Sequence, residues 1–133
     1  MTTVGSYMTR TPHTIGAEQT LKVARQLMRD HHVRHLPVLH GGELVGVLSE
    51  REVRSFEALP GSSLLTVEEA MVPDAYVTPV NAPLDAVAGE MATRRLGSAV
   101  VVDEAANVVG VFTAVDALRA LSDALRPTPA RAA

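Results

Sequence analysis

Residues 44–52 read LVGVLSERE, and residues 108–116 read VVGVFTAVD. Each stretch is an apolar run with an internal glycine, followed by a hydroxyl residue and, three positions later, a carboxylate. A short apolar run rich in β-branched residues is typical of a buried strand. A hydroxyl residue followed by an acid at the third position is typical of a helix start. Each stretch therefore predicts a strand, a sharp turn and a helix N-terminus, where polar ligands are often held.

The segments around these two stretches repeat as well. In the first half, the spacing predicts a helix at 19–31, a strand at 35–39, a hairpin turn at 40–43, a strand at 44–48 and a helix at 50–58. In the second half, it predicts a helix from Pro83, strands at 98–102 and 108–112 around a turn at 103–107, and a last helix striped by Val115, Leu118, Leu121 and Leu125.

A linker over 59–75 joins the two halves. Short helical turns are predicted in the linker, at Val67, Ala70 and Met71, and at the start of the chain, at Val4, Tyr7 and Met8 ahead of Thr11-Pro12. These two turns are expected to be equivalent to one another, which extends the repeat beyond the strands and helices.

Two ordered copies at one period predict an α+β tandem repeat, in which each unit reads β-α-β-β-α. A unit of about 55 residues buries too little apolar surface to be stable alone. We therefore expect the two units to pack sheet to sheet with pseudo-two-fold symmetry, to share a core and to leave clefts at their junction.

Composition excludes several classes of protein. The chain has 133 residues, a net charge of −3 and no cysteine, so a disulfide framework, thiol catalysis and Cys-ligated zinc are excluded. It lacks the basic face and aromatic platforms of a nucleic-acid binder, so nucleic acid is not an expected partner. No apolar run approaches the ~18 residues of a membrane span, and the N-terminus lacks the features of a signal peptide. We therefore expect a cytoplasmic protein with no membrane segment.

The residue pattern also argues against an enzyme and against a metal site. The sequence shows no nucleophile with a paired base, no glycine-rich phosphate loop and no cluster of metal ligands. The histidines His31, His32, His35 and His40 lack the spacing and supporting ligands of a zinc site. We expect no catalytic residues, no bound metal and no required cofactor.

The repeated unit resembles the cystathionine-β-synthase (CBS) motif, and the two copies resemble a tandem CBS pair, or Bateman module, as found in stand-alone CBS-domain proteins. The matching residues of the first half are Thr14-Ile15, Leu21 with Ala24 and Met28, 33–38, and 46–49 with Glu52. Those of the second half are Leu84 with Val87 and Met91, 98–103, and 110–113 with Asp116. The resemblance makes 1–133 one module, with motif 1 at 4–60, a linker and short helical turn at 61–75, motif 2 at 76–126 and a frayed tail at 127–133.

The resemblance implies a regulatory module without catalysis of its own. Such pairs bind adenosine-containing ligands in the two clefts between the motifs and signal to a partner protein, which the sequence does not identify. AMP, ADP and ATP are the expected ligands, and S-adenosylmethionine or a dinucleotide is a further candidate. The alternative is a structural dimerisation or interaction module that binds no nucleotide.

The resemblance places ribose contacts at the ends of the third strands. Thr113 and Asp116 match the hydroxyl and carboxylate that hold ribose hydroxyls in the family. Ser49 and Glu52 stand at the same places in the first repeat. Glu52 departs from the pattern because it is one methylene longer than aspartate, which leaves the occupancy of the first cleft open.

Four further residues complete the expected ligand contacts. Arg34 and His35 stand just before the second strand of the first repeat, where family members present basic residues to phosphates. The second repeat has Gly97 and Ser98 at these places, so a ligand held by Asp116 is expected to have its phosphates met by Arg34 or His35. Ile15 and Thr78, in the extended segments that open the two repeats, are the remaining candidates.

We also expect a flat homodimer of four CBS motifs. Each half carries an apolar helical face that one subunit of this size is not expected to cover. The residues of this face are Leu21, Leu27 and Met28 in the first half and Pro83, Leu84, Val87 and Met91 in the second.

Overall fold

The structure, a computed structural model, describes residues 1–10 and 13–127. The strands are β1 Thr9–Arg10, β2 Ile15–Gly16, β3 His35–His40, β4 Glu43–Ser49, β5 Val72–Pro73, β6 Val77–Pro79, β7 Ser98–Val102 and β8 Val108–Thr113. The helices are α1 Leu21–His31, α2 Glu50–Phe56, α3 Val67–Ala70, α4 Leu84–Arg94 and α5 Ala114–Leu125, with 3-10 turns at Val4–Ser6 and Ser62–Leu64. Each half therefore reads β-α-β-β-α, from β2 to α2 and from β6 to α5, which confirms the predicted fold class. The predictions for Thr11-Pro12 and for the tail beyond 127 lie outside the described residues.

The segment that precedes each repeat joins the sheet of the other repeat. One sheet has the strand order β2-β3-β4-β5, and the other has the order β1-β8-β7-β6. At the edges, β1 pairs antiparallel with β8, with Thr9 opposite Val111, and β5 pairs antiparallel with β4, with Val72 opposite Val47. A sheet of the folded chain therefore does not correspond to one sequence repeat, because β1 and β5 each belong to the sheet of the other repeat.

Glycines in β4 and β8 allow the edge strands β5 and β1 to approach the backbone of these strands closely. A Cβ atom on Gly110 would lie 2.7 Å from the carbonyl oxygen of Thr9 and 2.8 Å from the sulfur of Met8. A Cβ atom on Gly46 would lie 2.6 Å from the carbonyl oxygen of Val72. Backbone atoms cannot be approached so closely by a side chain, which explains why both strands carry an internal glycine.

The buried apolar residues on the helix sides of the two sheets form two clusters, one for each sheet. The first joins α1 and α3 to β3 and β4, and the second joins α4 and the Val4 turn to β7 and β8. A further set of buried strand residues, on the faces that point away from the helices, packs the two sheets together. Its members are Pro37, Val47, Val100 and Val111. This layer is the sheet-to-sheet contact predicted from the repeat.

The apolar stripe of α5 faces solvent. Its members are Val115, Leu118, Leu121 and Leu125, which are 53% to 74% exposed. The residues that α5 buries are instead Asp116 and Ala120. The helix is also held by the Tyr7 hydroxyl, which donates to the Asp123 carboxylate at 2.6 Å. An apolar face at helical spacing usually packs on a core, and here it has no cover among the described residues.

The helical face that we expected at a dimer interface lies inside the subunit, so that expectation is wrong. Its central residues are Leu21, Met28, Val87 and Met91, none of which is more than 7% exposed. Leu27 and Leu84 pack partly against the same two clusters. In the described part of the chain, the apolar helix face that is exposed is therefore that of α5, not that of α1 or α4.

The close approach at Gly110 predicts a loss of stability on substitution. We expect Gly110→Ala to lower the free energy of unfolding by about 1–3 kcal/mol, because the added methyl forces β1 and β8 apart. Gly89 in α4 is the matched control, since nothing lies within 4 Å of its Cβ position. Gly89→Ala should raise the free energy of unfolding by about 0.5–1 kcal/mol through helix propensity. Urea denaturation measures both changes, and a Gly110→Ala variant as stable as the parent would contradict the role of this approach.

Candidate functional site

Each strand–helix junction positions a carboxylate through hydrogen bonds to the residue that precedes the helix. After β8, the Thr113 backbone N–H and hydroxyl donate to one Asp116 oxygen at 2.9 and 3.1 Å. After β4, the Ser49 N–H and hydroxyl donate to the two Glu52 oxygens at 2.9 and 2.6 Å. The distance from the carboxylate to the backbone N–H is the same in both halves. The extra methylene of Glu52 is therefore accommodated without loss of this contact.

Asp116 has more hydrogen-bond donors than Glu52. Its side chain is almost fully buried, and the Thr9 hydroxyl from β1 approaches both carboxylate oxygens at 3.2 Å. The Arg119 guanidinium contacts one oxygen at 3.4 Å. Glu52 is only half-buried, and Ser49 is its one hydrogen-bonding partner among the described residues. Asp116 therefore has less acceptor capacity left for a further donor than Glu52 has.

Two cavities open at the junction of the repeats, and each has one of these carboxylates in its wall. Cleft 1, about 1070 Å³, lies among Ser49, Glu52, β5 and the C-terminal end of α4. Cleft 2, about 500 Å³, lies among Thr9, Thr113, Asp116 and the C-terminal end of α1. Both volumes are comparable to those of ligand pockets, which occupy about 300–1,000 Å³.

The structure brings most of the predicted contact residues to these clefts. Ser49 and Glu52 line cleft 1, Thr113 and Asp116 line cleft 2, and Arg34 and His35 line both. Ile15 and Thr78 are buried in β2 and β6, and neither is among the described residues that line the two clefts. Ile15 packs in the apolar cluster under α1.

Sequence reasoning missed part of both linings. Thr9 reaches cleft 2 because β1 crosses to the other sheet, and no local pattern predicts that crossing. Cleft 1 also contains an aromatic side chain and a group of cations, which are Tyr76, Arg51, Arg54, Arg94 and Arg95. The Arg94 guanidinium lies 5.2 Å from the centre of the Tyr76 ring. The signal available in the sequence was the repeat itself, because Arg94 and Arg95 stand at the end of the second-half helix where His31 and His32 stand at the end of the first.

His35 lines both clefts, within electrostatic reach of Glu52 and Asp116. Burial lowers the pKa of His35 below its ordinary value of 6.5, and the negative charges of Glu52 and Asp116 oppose that shift only in part. The imidazole is therefore neutral at physiological pH. The positive charge that both clefts share is that of Arg34 and not that of His35.

Residues 1–10 and 13–127 contain neither a cluster of metal ligands nor a helix that could span a membrane. No three histidine, aspartate or glutamate side chains in these ranges come together as a metal site would need. No helix in them combines the length and hydropathy needed to cross a lipid bilayer.

The fold and the paired clefts define a class of protein, in which two α+β repeats pack sheet to sheet and form cavities at their junction. The family model of the CBS domain matches this chain twice, at residues 4–58 and 67–123. The chain belongs to the CBS-domain family, and the resemblance seen in the sequence is confirmed.

Two curated relatives differ in how much of their length corresponds to this chain. Inosine-5'-monophosphate dehydrogenase of Thermoplasma acidophilum is 32% identical over 107 residues, which are 80% of this chain and 21% of the dehydrogenase. The CBS domain-containing protein YhcV of Bacillus subtilis is 29% identical over 117 residues, which are 87% of this chain and 83% of YhcV. The chain therefore spans about a fifth of the length of the dehydrogenases that it matches.

Two solved structures share the whole fold. The CBS domain pair of protein MJ0100, in complex with 5'-methylthioadenosine and S-adenosyl-L-methionine, has a TM-score of 0.80 at 26% identity, with 93% of this chain and 98% of that chain covered. The CBS domain of the bacterial CNNM/CorC family Mg²⁺ transporter, in complex with ATP, has a TM-score of 0.76 at 26% identity, with coverages of 91% and 87%.

The lowered pKa of His35 predicts a pH dependence of stability. The unfolded chain takes up a proton near its ordinary pKa of 6.5, while the folded chain does so only at lower pH. His35 therefore stabilises the fold above that range, and this contribution is lost as the pH falls. Between about pH 8 and about pH 5.5, the free energy of unfolding measured by urea denaturation should fall less in His35→Gln than in the parent. His40→Gln, at the exposed end of the same strand, is the control, and an unchanged pH dependence in His35→Gln would contradict the assignment.

Proposed function

We propose that this chain is a regulatory ligand-sensing module. It binds adenosine-containing ligands, such as AMP, ADP, ATP or an adenosyl thioether, in the clefts between its two CBS motifs and passes the bound state to a partner protein. The observation that carries the proposal is the carboxylate that both clefts hold at a strand–helix junction, hydrogen-bonded to a serine or threonine. No catalytic residue and no metal is assigned.

The chemistry of this arrangement suits a ribose. The two hydroxyls of a ribose are donors on adjacent carbons, and one carboxylate can accept from both of them. The neighbouring strands, and in cleft 2 also the loop before β3, supply apolar side chains beside which an adenine can lie. They are Val47 and Val72 in cleft 1 and Val33 and Val111 in cleft 2. The structures with 5'-methylthioadenosine, S-adenosyl-L-methionine and ATP support this class of ligand.

The position of the clefts suits a sensor. Each cleft is lined by residues of both repeats, so a ligand contacts both halves at once. A ligand that binds more tightly to one relative orientation of the halves increases the population of that orientation. A partner protein can then recognise this conformation.

The ribose assignment predicts that Asp116→Asn weakens adenosine binding in cleft 2. The variant keeps the size of the side chain but loses the charge that strengthens its hydrogen bonds. Hydrogen bonds to charged groups contribute about 1.5–3 kcal/mol, so the dissociation constant should rise by about one to two orders of magnitude. Isothermal titration calorimetry with adenosine measures the change, and circular dichroism verifies that the variant folds.

Asp85→Asn is the matched control for this experiment. Asp85 is also an acid in the first turn of a helix, α4, but it is exposed and lines neither cleft. Adenosine binding should be unchanged in this variant. If Asp116→Asn bound adenosine as the parent does, the ribose would not be held where we propose.

The exposed stripe of α5 supports a homodimer as part of the proposal. Its four apolar side chains form one exposed helix face. An antiparallel pairing of two α5 helices about a two-fold axis would cover the stripe of each copy with the stripe of the other. The face is therefore complementary to itself in apolar surface. The same surface would serve the alternative function, a dimerisation module without a nucleotide, and the adenosine titration separates the two.

The homodimer predicts that a charge in the stripe separates the subunits. Leu118→Glu should sediment as a monomer at a protein concentration where the parent is a dimer, because the interface would bury an unpaired carboxylate. Leu64→Glu is the control, since Leu64 is 76% exposed and lies outside α5. A parent that sediments as a monomer at micromolar concentration would exclude the dimer.

A further inference from the structure

We propose that the two clefts bind different classes of adenosyl ligand. Cleft 1 binds a nucleotide with a chain of phosphates, such as ATP, and cleft 2 binds an adenosyl group without one. The inference rests on the proposed function and adds to it a division of ligands between the clefts.

The repeat allows the two clefts to be compared position by position. The first residue after α1 is His32, and the first residue after α4 is Arg95, and both have the left-handed backbone with φ of 54° and 55°. The second residue of α2 is Arg51, and the second residue of α5 is Val115. Arg51 and Arg95 line cleft 1, and His32 and Val115 line cleft 2. The same two places in the fold therefore carry two arginines in one cleft and a histidine and a valine in the other.

Arg51 and Arg95 are available to an anion. Neither forms an ion pair or a side-chain hydrogen bond with any residue in the described part of the chain. They reach cleft 1 from different repeats, one from α2 and one from the end of α4. Two guanidinium groups on different walls of a cavity can hold successive phosphates, because each offers several N–H donors in a fixed plane.

The other cations near the clefts already have partners. Glu50 pairs with Arg54 and, at 3.6 Å, with Arg34. Arg94 lies 3.9 Å from Glu90 and stacks over Tyr76. These groups form part of the wall of cleft 1, and among the described residues that line it the unpaired cations are Arg51 and Arg95.

Cleft 2 has fewer groups that could bind a chain of phosphates. Its own cation, Arg119, is held by the Asp116 carboxylate at 3.4 Å. Much of the rest of its lining is apolar, with Val33, Val111, Ala114 and Val115. At about 500 Å³ it also has roughly half the volume of cleft 1. An adenosine or an adenosyl thioether fits this combination of one carboxylate, little free positive charge and a smaller space.

The test measures ATP and adenosine binding in two backgrounds, each with one weakened cleft. Asp116→Asn leaves cleft 1 as the main site, and Glu52→Gln leaves cleft 2. In Asp116→Asn, ATP should bind at least about tenfold more tightly than adenosine, because charge-assisted hydrogen bonds to its phosphates are added. In Glu52→Gln, ATP should bind no more tightly than adenosine. Isothermal titration calorimetry on the full chain gives the four dissociation constants.

Removal of the two free arginines is the decisive variant. Arg51→Gln with Arg95→Gln, in the Asp116→Asn background, should abolish the preference for ATP and leave adenosine binding as it was. Lys22→Gln with Arg29→Gln is the charge-matched control, because both cations lie on α1 outside the two clefts. In the Glu52→Gln background, His32→Arg should increase the affinity of cleft 2 for ATP. The substitution gives cleft 2 an arginine at the position that corresponds to Arg95 in cleft 1.

The outcomes separate this inference from the proposed function. An equal ratio of ATP to adenosine affinity in the two backgrounds would overturn the division of ligands while leaving the adenosyl sensor in place. ATP binding that survives the loss of Arg51 and Arg95 would do the same. A parent chain that binds neither ATP nor adenosine would overturn the proposed function, and the division of ligands with it.

Discussion

The structure depends on the close passage of two short strands over two glycines. β1 crosses Gly110 and β5 crosses Gly46, at distances that exclude any side chain at those positions. These passages attach the segment before each repeat to the sheet of the other, so the halves are joined by backbone hydrogen bonds as well as by the apolar layer between the sheets. They also build the clefts, since β1 brings Thr9 to Asp116 and β5 contributes Val72 and Pro73 to the wall of cleft 1.

The two clefts share one backbone design but differ in their chemistry. Both place a carboxylate after the third strand of a repeat, at the same distance from a backbone N–H. Asp116 is buried and saturated with donors from its own chain, while Glu52 remains open. Arg34, His35 and Gly97 line both clefts, so a charged ligand in one changes the electrostatic environment of the other. Duplication of a fold thus allows two sites to diverge through a few side chains while they stay physically adjacent.

The helices show why an apolar pattern does not by itself identify a core. Leu21, Met28, Val87 and Met91 are as periodic as the α5 stripe, yet they are buried and the stripe is exposed. α5 instead turns a carboxylate inward, because Asp116 is held by Thr113 and Thr9 at the base of cleft 2. Burial of Asp116 rotates the apolar side of the helix toward solvent. The hydrogen bonds of Asp116 therefore set which face of this helix packs on its own subunit and which face is exposed.

The sequence by itself determined the repeat, the order of its elements and the carboxylate at each strand–helix junction. These features depend on local patterns, such as apolar runs, turn residues and a hydroxyl three positions before an acid. The tertiary structure alone decided that β1 and β5 exchange sheets, that Thr9 meets Asp116, and that Arg51 and Arg95 share one cavity. It also left Ile15 and Thr78 in the packed interior and not in a cleft wall. These outcomes depend on contacts between residues distant in sequence, and a local pattern carries no information about which distant segment will cover it.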